Sequence, residues 1–240
     1  MLSVSVVIPL SGAPKNIVPQ TGAIRNCVRA VVSGEEMVYI SEENGTVSLN
    51  NLAGKTLWRN MSDNPAVMFE IIAHDLDGDK QDDLLGVSGN GSVYAWKSDG
   101  KLLWKFTTPE ISRLSEIAVV GEDDETRIFA GGNNFKIYEL DSNGNLLSFI
   151  PIKGTVRILD AGYFVQNGKK DLFVLTYSHD KFRSEYMGFI DSVTKKEYRS
   201  SSISKFVKNS TMITDNTVAD IDNDGKDDVI PVSYTHLTLP

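Results

Sequence analysis

A repeat of about 46 residues constrains the fold of this 240-residue chain more than any other feature. Residues 44–58 read NGTVSLNNLAGKTLW, and residues 90–104 read NGSVYAWKSDGKLLW. A third copy, FKIYELDSNGNLL at residues 135–147, is followed by Ser148 where the first two copies end in tryptophan. The turn glycines of the three copies, 46 and 44 residues apart, are Gly54, Gly100 and Gly144. Self-similarity at this period predicts an array of equivalent structural units.

Each unit consists of short β-rich runs that are separated by tight turns. Asn90-Gly91 and Asp99-Gly100 are strong hairpin signals, because both turn residues must adopt positive φ. Four strands in 40–50 residues make one blade of a β-propeller. We therefore expect an all-β propeller with about five four-stranded blades, as an incomplete ring of a six- to eight-bladed propeller. The expected units lie near residues 27–60, 69–108, 116–150, 156–200 and, truncated, 217–231.

The last nine residues differ in character from the repeats. Residues 232–240 read VSYTHLTLP, which resembles the translation of a transposase-adapter oligonucleotide. We expect this segment to be a non-native tail, with the propeller repeats confined to residues 1–231.

Two acidic loops predict metal sites. Loop 1 (residues 75–83, DLDGDKQDD) and loop 2 (residues 220–228, DIDNDGKDD) both carry aspartate at positions 1, 3, 5 and 9. Carboxylates that converge in a tight loop repel one another unless a cation relieves them, and Ca²⁺ suits such oxygen ligands. A main-chain carbonyl at position 7 would complete each set. The predicted Ca²⁺ ligands are Asp75, Asp77, Asp79, Gln81, Asp83, Asp220, Asp222, Asp224, Lys226 and Asp228.

A different calcium motif, the EF-hand, is excluded by the residues that follow. An EF-hand needs glutamate at position 12 and a helix beyond it. Position 12 is Gly86 after loop 1 and Pro231 after loop 2, and both flanks are β-rich.

The loop pattern resembles the FG-GAP and VCBS repeats of integrin-like and bacterial surface propellers. Loop 2 matches that pattern throughout, whereas loop 1 has Lys80 where the family usually has glycine. The resemblance implies that calcium mainly staples a loop between blade strands. The segment from Val93 to Trp104 also resembles the quinoprotein-type propeller repeat, without implying a quinone cofactor.

Aromatic residues and one insertion are further candidates. Trp58 and Trp104 recur at one place in the repeat, which predicts an inter-blade core position. Trp96 has no counterpart in the first unit and is a candidate for an exposed binding aromatic. His179 lies in an insertion that lengthens the fourth unit, and insertions of this kind often carry binding residues.

Composition narrows the class of partner. The formal net charge of −8 argues against nucleic-acid binding, and no apolar run approaches the roughly 18 residues that span a bilayer. The single cysteine, Cys27, excludes an intrachain disulfide and a zinc cage.

Two functions remain open at this level. The first is a non-enzymatic, calcium-stabilised module that binds a carbohydrate or a cell-surface protein. The second is the propeller part of a calcium-dependent polysaccharide lyase or other glycan-degrading enzyme. Both imply an extracellular, cell-surface or periplasmic location, because weak calcium loops fill where calcium is millimolar.

Overall fold

The computed structural model describes residues 22–63, 65–110, 112–178, 183–202 and 212–234. These residues form eighteen β-strands and one short 3-10 turn at Asp123–Glu125. Among the described residues, no helix has the length and apolar character needed to cross a bilayer.

The strands group into consecutive antiparallel sheets, which we call blades 1 to 5. Blade 1 contains β1 (Ile24–Val32), β2 (Glu35–Glu42), β3 (Thr46–Asn51) and β4 (Thr56–Met61). Blade 2 contains β5 (Met68–His74), β6 (Asp83–Ser88), β7 (Ser92–Trp96) and β8 (Leu102–Thr107). Blade 3 contains β9 (Leu114–Val120), β10 (Arg127–Gly132), β11 (Lys136–Asp141) and β12 (Leu146–Pro151). Blade 4 contains β13 (Thr155–Gly162), β14 (Asp171–Ser178), β15 (Arg183–Ile190) and β16 (Glu197–Ser202), and blade 5 contains β17 (Met212–Ala219) and β18 (Asp228–Tyr234).

The hairpin turns follow the sequence signals. Gly91 and Gly100 have φ angles of 81° and 91°, a region that residues with a side chain rarely adopt. Gly91 N–H donates to the carbonyl of Ser88, and Gly100 N–H donates to that of Lys97. These turns set the register between β6, β7 and β8.

The first strand of each blade is its inner strand, and the inner strands pack in order around a common axis. β1 contacts β5, β5 contacts β9, β9 contacts β13, and β13 contacts β17. The predicted all-β propeller architecture is confirmed, with four four-stranded blades and a two-stranded fifth in the described residues.

The hydrophobic core lies between blades. Each of its four clusters combines residues from two neighbouring sheets; the first joins Tyr39 and Leu49 of blade 1 to Leu84 and Tyr94 of blade 2. Burial of these faces removes apolar surface from water, so each blade is stabilised by its neighbours.

The last strand runs past the predicted end of the repeats. β18 continues to Tyr234, and Val232, Ser233 and Tyr234 pair with Asp215, Ile213 and Met212 of β17. Residues 235–240 of the expected tail lie outside the described residues.

Candidate functional site

Each inner strand contains a β-bulge near its N-terminal end, so the five bulges lie at the same end of the common axis. A bulge places one extra residue in a strand and re-aims the side chains beside it, which is why bulges often adjoin active sites. The residues skipped by the pairing register are Arg25, Phe69, Ser115, Arg157 and Thr214, one from each blade.

A polar cavity of about 350 Å³, the channel-mouth cavity, lies where these bulges converge. All five blades contribute to its lining. Its charged side chains are Arg25, Arg113, Arg157, Glu70, Glu116, Asp160 and Asp215. This combination of guanidinium and carboxyl groups can bind hydroxyl groups and anions through charge-assisted hydrogen bonds.

Two arginines make cation–π contacts with an aromatic ring at the cavity. The guanidinium carbons of Arg25 and Arg113 lie 5.3 and 4.9 Å from the centroid of the Phe69 ring. Arg113 Nε is buried without a hydrogen-bond partner among the described residues. The Phe69 ring therefore holds two guanidinium groups at the cavity, and Arg113 can donate a further hydrogen bond from its Nε–H.

Two glutamates in the cavity occupy equivalent positions in neighbouring blades. Glu70 follows the bulge in β5, and Glu116 follows the bulge in β9. Glu70 Oε2 accepts a hydrogen bond of 2.6 Å from the Ile117 N–H, which anchors the Glu70 carboxyl beside the main chain of Glu116. Burial raises the pKa of both carboxyl groups; the charge of Glu70 raises the pKa of Glu116 further, whereas Arg157 lowers it.

The other two acids of the cavity have polar partners. Asp160 Oδ2 accepts a 2.6 Å hydrogen bond from Asn216 Nδ2, and the Asn216 N–H donates to Asp215 Oδ1. Burial raises the pKa of Asp160, while the bond from Asn216 lowers it.

None of the charged groups in this cavity was among the residues predicted from the sequence, although the sequence carries one signal of them. Glu70 and Glu116 are 46 residues apart, and each interrupts an apolar strand at the same repeat position. An acid in such a strand indicates either a partner or a function, because an unpaired buried charge is costly.

In loop 1, three of the predicted metal ligands come together. Oxygen atoms of Asp75, Asp77 and Asp83 lie within 4.8 Å of one another. Asp79 instead accepts from the Gln81 N–H at 3.0 Å and lies 3.1 Å from Lys97 Nζ.

In loop 2, the converging carboxylates are those of Asp220, Asp222 and Asp224. Asp228 is outside that group and accepts a long bond of 3.4 Å from the Ile221 N–H. Lys226 Nζ lies 2.8 Å from Asp224 Oδ2. The main-chain carbonyls of Gln81 and Lys226 remain predicted ligands.

Both loops place one non-glycine residue in the left-handed region. Lys80 has a φ of 64°, as its position predicts, but loop 2 has Asn223 at 58°. The glycine positions are exchanged between the loops, with Gly78 in loop 1 and Gly225 in loop 2. The expected difference in strain is therefore smaller than Lys80 alone suggests, although asparagine tolerates this region better than lysine.

Position 8 of each acidic loop fastens its blade to the preceding one. Asp82 Oδ2 accepts a 2.6 Å bond from the Val31 N–H, and the Asp82 N–H donates to the Val31 carbonyl at 2.9 Å. Asp227 repeats this pair of bonds with Tyr163, at 2.7 and 2.9 Å. The acidic loops therefore join neighbouring blades as well as strands within a blade.

The repeated tryptophans dock on the next blade. Trp58 Nε1 donates to the Ser98 carbonyl at 2.8 Å, and Trp104 Nε1 donates to the Ser142 carbonyl at the same distance. Both rings are half-buried against the inter-blade core, so their equivalent placement matches the prediction but their burial is partial.

Trp96 is not an exposed binding aromatic. It is 3% exposed and stacks on Tyr94 with a centroid distance of 5.2 Å, because its strand is buried on both faces. His179, the other sequence candidate, lies outside the described residues.

The contact between blades 3 and 4 lacks a tryptophan. Ser148 Oγ donates to Glu139, and Lys195 Nζ donates to Glu139 and to the Ser192 carbonyl. The Glu139 side chain is 7% exposed. An ion pair between the buried Glu139 and the half-buried Lys195 thus takes the place that indole rings fill in the two preceding contacts.

Comparison with known proteins places this architecture among the propellers. A family model described as the lambda-carrageenase beta-propeller domain matches residues 37–155. The consecutive antiparallel sheets of the described residues agree with this match to a propeller family. The chain is a β-propeller.

Two curated relatives are similar over part of the chain. The lambda-carrageenases of Pseudoalteromonas sp and Pseudoalteromonas carrageenovora are 27% and 26% identical to it over 152 residues. That alignment covers 62% of this chain but only 16% of either relative. Of what the FG-GAP and VCBS resemblance implied, these comparisons show the β-propeller fold alone.

Solved structures share the fold at low identity. Sqt1 from Saccharomyces cerevisiae superposes with a TM-score of 0.71 and 12% identity, covering 95% of this chain and 63% of that one. BBS1N, solved in complex with ARL6DN, gives a TM-score of 0.67 and 10% identity, covering 96% and 64%.

Proposed function

We propose that this chain is the propeller of a glycan-degrading enzyme and that the channel-mouth cavity binds the glycan. The observation that carries the proposal is the convergence of five bulged strands on a cavity with three arginines and four carboxyl groups. Similarity to two lambda-carrageenases supports a carbohydrate substrate. The earlier alternative of a glycan-degrading enzyme is therefore favoured over a non-enzymatic module.

The lining groups suit a sugar ligand. Carboxyl and guanidinium groups form directed hydrogen bonds with hydroxyl groups, and the arginine fork also binds anionic substituents. Two guanidinium groups already lie over the Phe69 ring, so polar contacts rather than ring stacking hold the sugar.

Binding and cleavage of lambda-carrageenan oligosaccharides test this function. We expect calorimetric binding and the release of new reducing ends with the full chain. Arg157→Ala should weaken binding at least tenfold, whereas Arg29→Ala, at an exposed arginine outside the cavity, should not. Equal binding by both variants would exclude the cavity. Binding without cleavage would restore the non-enzymatic module, and neither activity would reject a carrageenan ligand.

We also propose that loops 1 and 2 each hold a structural Ca²⁺. Three converging carboxylates in each loop supply the hard oxygen ligands that Ca²⁺ prefers. Lys97 already contacts Asp77 and Asp79, so the loop attracts positive charge. An ion here would brace the same loops that fasten blade 2 to blade 1 and blade 5 to blade 4.

An extracellular or periplasmic location follows from both proposals. A polymeric glycan is met outside the cytoplasm, and exposed calcium loops fill readily at extracellular calcium concentrations.

A further inference from the structure

The two glutamates of the channel-mouth cavity are positioned as a pair. They lie at the same register position of adjacent inner strands, each directly after a bulge. The 2.6 Å hydrogen bond from the Ile117 N–H fixes the Glu70 carboxyl beside Ile117, which is the residue directly after Glu116. Both side chains are half-buried and line the same cavity.

Most of the groups around the pair act against its ionisation. Arg157 supports a negative charge on Glu116, whereas Asp160 acts against ionisation of both glutamates, and Asp215 acts against that of Glu70. Arg25 and Arg113 are the other charged groups at the cavity. Burial raises the pKa of both carboxyl groups, and the charge of Glu70 raises that of Glu116 further, so the pair retains a proton at pH values where free carboxyls are ionised.

We infer that Glu70 and Glu116 are the catalytic acid and base of glycosidic-bond hydrolysis, an inference that rests on the proposed function. The protonated carboxyl transfers its proton to the glycosidic oxygen as the bond from that oxygen to the anomeric carbon breaks. The ionised carboxylate accepts a proton from the water whose oxygen forms the new bond to the anomeric carbon. One water is consumed and one new hydroxyl appears on each product, so no further reactant is needed.

The pair favours hydrolysis over elimination. A polysaccharide lyase needs a lysine, tyrosine, arginine or histidine base beside a cation that neutralises the substrate carboxylate. Among these bases the described lining offers only arginine, whose guanidinium group stays protonated in proteins. Two carboxyl groups that line one cavity are instead the usual hydrolytic arrangement.

The test compares Glu70→Gln and Glu116→Gln with Glu43→Gln, a control at an exposed loop position. Each cavity variant should lower kcat at least 100-fold while its oligosaccharide Kd stays within about threefold of the wild-type value. Glu43→Gln should keep the wild-type kcat. In the wild type, kcat/KM should show a bell-shaped pH profile, and each cavity variant should lose one limb of it.

The results separate this inference from the proposed function. An inactive wild type rejects the function, whereas an active wild type with either Gln variant within tenfold of its kcat overturns the acid–base assignment. Loss of binding in a folded variant would make that glutamate a binding group and also overturn it. Should a Gln variant fail to fold, Glu70→Asp and Glu116→Asp replace it: they keep a carboxyl but displace it, so an unchanged kcat would contradict the inference.

Discussion

At the scale of single residues, the contact between tryptophan and glycine explains why the repeat is recognisable. A Cβ atom at Gly100 would lie 2.9 Å from Trp58, and one at Gly144 would lie 2.5 Å from Trp104. Only glycine leaves room for the ring and also adopts the required positive φ. These two residue types therefore had to be retained together in the repeat.

Truncation of either docking ring should destabilise the propeller. We expect Trp58→Ala and Trp104→Ala to lower the free energy of unfolding by about 3 kcal/mol each, at the low end for a large aromatic because the rings are half-buried. Denaturant titration measures this loss. Leu57→Ala, at a neighbouring side chain that is 44% exposed, should change stability far less, and an equal loss in all three would contradict the docking role.

At the scale of strands and loops, sequence periodicity predicted the blades but not the channel-mouth cavity. The hairpin glycines and the alternating strands are local signals, and the structure has those strands. The cavity depends on bulges in five strands that are far apart in sequence and meet only when the ring assembles. Likewise, the clasps made by Asp82 and Asp227 involve Val31 and Tyr163 of other blades, so the spacing within the loop gave no sign of them.

Calcium should stabilise the chain through loops 1 and 2. A ligand that binds only the native state at a hundredfold excess over its Kd stabilises by about 2.7 kcal/mol, so calcium should raise the Tm and a chelator should lower it. Asp222→Ala should remove more of the shift than Asp77→Ala, because Lys97 pairs with two loop 1 carboxylates whereas Lys226 pairs with one in loop 2. The left-handed conformation is also less favourable for Lys80 than for Asn223.

The control for this prediction is Asp99→Ala, which removes an exposed aspartate in a hairpin outside both loops. It should keep the full calcium shift in the thermal melt. A wild-type Tm that does not respond to millimolar calcium would reject the metal assignment.

At the scale of the whole molecule, stability is a sum over blades and over the contacts between neighbours. The first two inter-blade contacts contain a docked tryptophan, whereas the third contains the partly buried pair of Glu139 and Lys195. Desolvation of two charges offsets much of their attraction, and well-packed apolar groups at such a site often give a more stable protein. We therefore expect this position to contribute less to stability between blades 3 and 4 than the tryptophan contacts contribute in the first two pairs.

Copying the tryptophan contact into the third position should strengthen the ring. Glu139, Ser148 and Lys195 correspond to Ala95, Trp104 and Gly144, and the positive φ of Lys195 suits glycine. The triple variant Glu139→Ala, Ser148→Trp, Lys195→Gly should raise the Tm by a few degrees, at about 2–4 °C per kcal/mol for a chain of this size. Glu139→Ala alone should lower the Tm, because Lys195 loses its buried partner; a rise in that single variant would refute this account.

The recurring bulge has a consequence for how such a ring can acquire new chemistry. Duplication of a blade also duplicates its bulge, so one backbone position is presented five times around the same cavity. The residues that follow the bulges are Asn26, Glu70, Glu116, Ile158 and Asp215. The position after the bulge accommodates an amide, three acids and an aliphatic side chain, because main-chain atoms make the strand pairing and it does not depend on the side chain. Divergence among copies can therefore alter the ligand one blade at a time while the architecture stays the same.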